Sequence, residues 1–163
     1  MQHKQAWQSI LEEKENSPLW KPPPLGWIKC NFDAAVKPNK VVLAVVCRDS
    51  NRSIVAAHSE EECPGEPLWV ESKATLIVAS LAYKEGFARV VIEGDAQFVI
   101  KAIINPSTTP YWSINTIIED IRVILNSFVC WNASFVFRDS NVVAHSLAQW
   151  AYFCNSLGSP LSL

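Results

Sequence analysis

Three carboxylates in this chain sit where a carboxylate is hard to explain. Asp33 interrupts the strand-like run WIKCNFDAAV, between Phe32 and Ala34, a setting that disfavours Asp. Glu71 lies in a helix-like segment with Ala74, Thr75 and Val78 at i+3, i+4 and i+7, which turns it toward the apolar stripe. Asp95 ends a run of strand formers, Val90-Val91-Ile92-Glu93-Gly94. One unpaired carboxylate is expensive to bury, and clustered carboxylates raise one another's pKa. A divalent cation resolves both problems, and Mg²⁺ binds through a few carboxylates while keeping several waters. Simpler readings stand beside this one. Asp33 pairs with Lys29 on the same strand face, Glu71 complements the positive end of its helix, or Asp95 is an N-cap.

The elements that must deliver these groups follow from hydrophobic period. Ile28, Cys30, Phe32 and Ala34 alternate with polar residues, a strand signature. VVLAVVCRD (41–49) is nearly continuous and apolar, which predicts a strand buried on both faces. After the turn DSNRS, SIVAAHSEE reads as a third strand. The period then switches. Residues 67–87 carry apolar positions at 70, 74, 78, 81 and 82, a helix that Gly86 is placed to end. ARVVIEG is strand four, and DAQFVIKAII a short helix stopped at Asn105-Pro106. The stripe Ile114, Ile117, Ile118, Ile121, Leu125 and Phe128 predicts a helix over 113–128 with Ser113 as its cap. WNASFVFRD (131–139) is strand five and SNVVAHSLAQWAYF the last helix. This order predicts an α/β fold with a mixed sheet.

The 163 residues suit one domain with one substantial core. Residues 1–26 read as an extension, with a short amphipathic helix over 5–15 and a stiff linker in SPLWKPPPLGW. Residues 27–154 form the domain and 155–163 a frayed tail. The five cysteines are odd in number and scattered, which predicts free thiols rather than a disulfide framework or zinc site. No apolar run approaches the ~20 residues that span a bilayer, and MQHKQAWQ is unlike a signal peptide. The expectation is an intracellular protein, cytoplasmic or nuclear, and a monomer. Asn51 and Asn132 match the glycosylation pattern by chance on that reading. A net charge of −2 argues against a globally basic nucleic-acid surface.

"NFDAAV", "WVESKATLIVASLAYKEGFARVVIEGDAQFVIKAI" and "FVFRDSNVVAHSLAQWA" together resemble the ribonuclease H-like domain of plant reverse-transcriptase-type elements. The resemblance runs from about Trp27 to Ala151, and WKPPPLGWIKCN is similar to the segment that precedes the domain in that branch. It implies a five-stranded mixed sheet flanked by helices, with strand two antiparallel to its neighbours. It also implies cleavage of the RNA strand of an RNA/DNA hybrid, within a larger reverse-transcriptase-type protein. The implied cofactors are two Mg²⁺ or Mn²⁺ ions. Asp33, Glu71 and Asp95 match three of the four family carboxylates that hold them, and such a pair can activate a water and stabilise the leaving oxygen.

The chain departs from the family pattern in four ways. His145 stands where the fourth Asp is expected, and imidazole suits Mn²⁺ or Zn²⁺ better than Mg²⁺. It therefore joins the catalytic set as a stand-in; alternatively Asn141, His145 and Gln149 form an ordinary polar stripe. The His-bearing loop before the last helix is missing, and the short FRDSN carries Arg138. Glycines usual on strand two and its turn are replaced by VLAVV and SNRS. The central loop INPSTTPYW has no charge, where a basic protrusion is common. These departures keep two other readings open: a weak or inactive nucleic-acid-binding domain of the same fold, and an α/β scaffold using its tryptophans for protein contacts.

Overall fold

The computed structural model describes residues 19–105, 107 and 111–154. The helix expected over 5–15, the tail from 155 and part of the central loop lie outside the described residues. Five strands form one sheet: β1 (Ile28–Lys37), β2 (Lys40–Arg48), β3 (Ile54–Glu62), β4 (Arg89–Gly94) and β5 (Cys130–Phe135). Their spatial order is β3-β2-β1-β4-β5. β2 is antiparallel to β1 and β3, while β4 runs parallel to β1 and β5. The mixed sheet is therefore as expected.

Alternation along β1 decides what each face of the sheet carries. Cys30 and Phe32 join the large core with β2 residues Val41, Leu43, Val45 and Cys47. Helices α1 (Pro67–Lys84), α2 (Gln97–Ile104) and α3 (Asn115–Leu125) close that core. Ala35, Ala44 and Val46 point the other way, onto Val143, Leu147 and Ala148 of α4 (Val142–Cys154). β2 is buried on both faces, as its unbroken apolar run implies. Cys30 and Cys47 face each other as free buried thiols, and Cys63 and Cys130 are free and exposed.

Element ends show local chemistry at work. Gly86 takes φ +76° and donates its N–H to Tyr83 O, which stops α1. Without a glycine, the β2–β3 turn puts Arg52 at φ +67°. Asp49 Oδ1 holds that turn by accepting from the N–H groups of Asn51 and Ser53. Two boundaries differ from expectation. Ser113 is no cap: Trp112–Ile114 forms a 3₁₀ turn that buries Ile114, and α3 starts at Asn115 with no side-chain cap. β5 stops at Phe135 because its partner β4 ends at the paired Gly94.

Gly94 itself is required. A Cβ there would lie 2.5 Å from the Phe32 ring, so the ring packs directly on backbone beside Asp95. Gly94→Ala is expected to cost about 1–3 kcal/mol through overpacking. Thermal denaturation checks this, with Gly94→Ala/Phe32→Leu recovering part of the loss.

Candidate active site

β1 outruns β4. Their pairing ends at Asn31 opposite Glu93, so Asp33 lies two residues beyond the last parallel contact. Asp95 follows the end of β4 at the same edge. Glu71 comes from the second turn of α1, on the opposite face of the sheet from α4, which supplies His145. Thr75 Oγ1 donates to the Glu71 carbonyl, so that hydroxyl is spent on α1's own backbone. Asp33, Glu71, Asp95 and His145 all line one cleft of about 290 Å³, together with Arg138 and Gln149.

Inside the cleft Asp33 is buried and His145 Nδ1 lies 2.7 Å from its Oδ2. With Asp33 ionised, that bond requires the proton on Nδ1. Burial pushes the Asp33 carboxyl above its ordinary value, and the Asp95 charge adds to the rise. The bonds from His145 and the Ala34 backbone oppose it without cancelling it. Glu71 is raised too, first by burial and then by Asp95. Asp95 thus acts on both its neighbours.

Lys29 does not pair with Asp33; its Nζ lies 3.1 Å from Glu93 Oε2 and donates to the Lys21 carbonyl. Asp95 makes no capping bond to α2, whose N-cap is Ala96. The Asn141, His145 and Gln149 stripe faces the sheet and cleft, with Asn141 buried.

A polar network behind Asp33 escaped the sequence reading. Asn31 Nδ2 donates to Glu93 Oε1 at 3.0 Å and to Asn141 Oδ1 at 3.1 Å. Asn141 Nδ2 donates to the Phe32 carbonyl at 2.8 Å, which pins the start of α4 to β1 beside Asp33. Trp20 Nε1 donates to Asn31 Oδ1 at 2.9 Å, and the Arg48 guanidinium stacks 3.6 Å from the Trp20 ring. Trp20 is only 2% exposed, so the proline-rich segment contributes a buried anchor. The available signal was Asn31, a second polar residue on the Asp33 face of a buried strand.

The family model described as reverse transcriptase-like matches residues 31–151. The chain belongs to that reverse transcriptase-like family. Its ribonuclease H-like fold is shared with solved structures. RNase H1 from the halophilic archaeon Halobacterium salinarum NRC-1 is 22% identical, with a TM-score of 0.71 over 80% of this chain and 99% of that one. LC11-RNase H1, solved in complex with RNA/DNA hybrid, is 14% identical, with a TM-score of 0.63 over 74% and 91%. A foamy viral protease-reverse transcriptase, also solved with RNA/DNA hybrid, is 15% identical with a TM-score of 0.58. That likeness covers 78% of this chain and 20% of the viral one. No curated protein matches the chain, and no helix of the described residues is long and apolar enough to cross a membrane.

The donor set of this ribonuclease H-like domain suits a hard, oxygen-seeking cation. Its carboxylates line a cleft rather than wrap a point: among the described residues no three His, Cys, Asp or Glu side chains form a metal-holding cluster. Asp33, Glu71 and Asp95 are the side chains that could hold such a cation. The raised pKa values carry a stability consequence. A carboxyl whose pKa is raised on folding destabilises the fold above that pKa. The penalty fades as pH falls through it and vanishes below the unfolded value, 4.5 for Glu71. Without divalent cations, Glu71→Gln should therefore raise the melting midpoint at pH 7 modestly. Thermal melts across a pH series check this, since the gain should disappear at acid pH.

Proposed function

We propose that this domain is a metal-dependent endonuclease that cleaves the RNA strand of RNA/DNA hybrids. The observation that carries the reading is the meeting of Asp33, Glu71 and Asp95, from three separate elements, in one cleft. Membership of the family and the hybrid-bound relatives of the same fold support it. Asp33, Glu71 and Asp95 would hold two Mg²⁺ or Mn²⁺ ions, which supply activation of a water and stabilisation of the leaving oxygen. His145 orients the Asp33 carboxylate through Nδ1. Arg138, at the cleft wall, would offer a positive charge to a phosphate oxygen. A place within a larger reverse-transcriptase-type protein is consistent with the family and with the viral relative.

His145 gives a second reading a specific footing. A neutral imidazole leaves the site one negative charge short of four carboxylates, so a domain that binds hybrid but cuts it slowly or not at all is the alternative. Labelled hybrid incubated in Mg²⁺ and in Mn²⁺ separates the two. We expect cleavage, faster in Mn²⁺ than in Mg²⁺. Asp33→Asn should lower it by at least the ~10–100-fold that loss of a metal ligand's supporting partner causes. His145→Asp should raise Mg²⁺-dependent cleavage. Hybrid binding without cleavage in either metal would establish the inactive reading instead.

A further inference from the structure

The buried network behind Asp33 begins outside the stretch that the family model covers. Trp20 lies 11 residues ahead of its partner Asn31, where the matched residues start. Local chemistry brings it back along β1. Pro22-Pro23-Pro24 restrict the chain, and a turn closes where the Trp27 N–H donates to the Pro24 carbonyl, with Gly26 at φ +83°. Two cations hold the returning backbone: Lys29 Nζ donates to the Lys21 carbonyl at 2.7 Å and Arg52 Nη1 to the Trp20 carbonyl at 3.5 Å. The indole is buried against the Arg48 guanidinium.

The indole N–H reaches an amide on which several groups converge. Asn31 Oδ1 accepts from Trp20 at 2.9 Å and from Arg48 at 3.5 Å, while Nδ2 donates to Glu93 and Asn141. Glu93 is fixed separately, by Lys29 at 3.1 Å and Ser134 at 3.3 Å. Held by Glu93 alone, the amide could swing about that bond; the Trp20 bond at its other end aims the second N–H at Asn141. Asn141 in turn touches both halves of the cleft pair. Its side chain donates to the carbonyl of Phe32, next to Asp33, and its own carbonyl accepts the backbone N–H of His145 at 3.1 Å. A shift at Asn31 therefore moves β1 and α4 relative to one another where they carry the 2.7 Å His145–Asp33 bond. Buried bonds linked in this way reinforce one another.

We propose that Trp20 is a positioning residue for the cleft: its indole N–H, acting through Asn31 and Asn141, sets the register in which His145 meets Asp33. The effect on turnover rests on the hybrid-cleaving reading above, whereas the effect on the His145–Asp33 bond does not.

The test uses the full chain and compares Trp20→Phe, which keeps an aromatic ring beside Arg48 and deletes the donor, with Asn31→Ala and with the double variant. Each is measured below its melting midpoint, with circular dichroism confirming the fold. In metal-free protein the His145 Nδ1 proton, identified by its loss in His145→Gln, should give a slowly exchanging downfield resonance, which Trp20→Phe should broaden or abolish. On hybrid, Trp20→Phe should lower kcat about tenfold, as loss of a supporting bond does, with KM within about twofold. Asn31→Ala should lower kcat at least as far, and adding Trp20→Phe to it should cost nothing more, because both act through one amide. Gly26→Ala, which strains the turn without touching the network, should reproduce the defect in part. Trp20→Phe with the parental resonance overturns the proposal, as does a parent without that resonance. Unchanged kcat in an active enzyme, or losses that multiply in the double variant, also overturn it. If the parent cuts no hybrid, the cleavage reading falls and the resonance alone decides the positioning in the same way.

Discussion

The organising constraint is the placement of a charged carboxylate, Asp33, inside a sheet face that is otherwise apolar or hydrogen-bonded. Its own burial and the nearby Asp95 both disfavour ionisation, so the surroundings must hold a group they do not stabilise. His145 supplies one strong partner at 2.7 Å, and the strand edge beyond Asn31 leaves the other side open. A carboxylate only partly compensated in this way is tolerated where function requires it.

Much of the fold can be read as support for that one position. β1 must run past β4 so that Asp33 clears the parallel ladder, and Gly94 must lack a side chain so that Phe32 can lie against β4. The network of Asn31, Glu93 and Asn141 fixes β1, β4 and α4 to one another behind the site. Trp20 closes the network from the N-terminal side. Every buried polar atom in Asn31 and Asn141 that reaches across elements does so to a partner that also positions the cleft, which is why two asparagines are stable in a core.

The three carboxylates and the sheet were legible because each broke or followed a period. Asp33 interrupted an alternating strand, Glu71 faced an apolar stripe, and β2 was unbroken. What stayed hidden depended on long-range neighbours. Asn31 meets Glu93 across 62 residues and Asn141 across 110, and no local pattern encodes such meetings. Three prolines beside Trp20 signalled stiffness and masked its role as an anchor. Lys29 shares a strand face with Asp33, but the neighbouring strand delivers Glu93 closer. Ser113 had the chemistry of a cap, and burial of Ile114 overrode it.

On the proposed reading, a divalent cation relieves the crowding of Asp33, Glu71 and Asp95 in the cleft. Titration of the nucleic-acid-free protein with Mn²⁺, followed by electron paramagnetic resonance and by proton release below neutral pH, tests it most directly. Mn²⁺ should then bind saturably and expel protons from the raised carboxyls of Asp33 and Glu71, with binding clearly weakened in Asp95→Asn. No saturable binding, or a parent and an Asp95→Asn variant that bind Mn²⁺ alike, would contradict it.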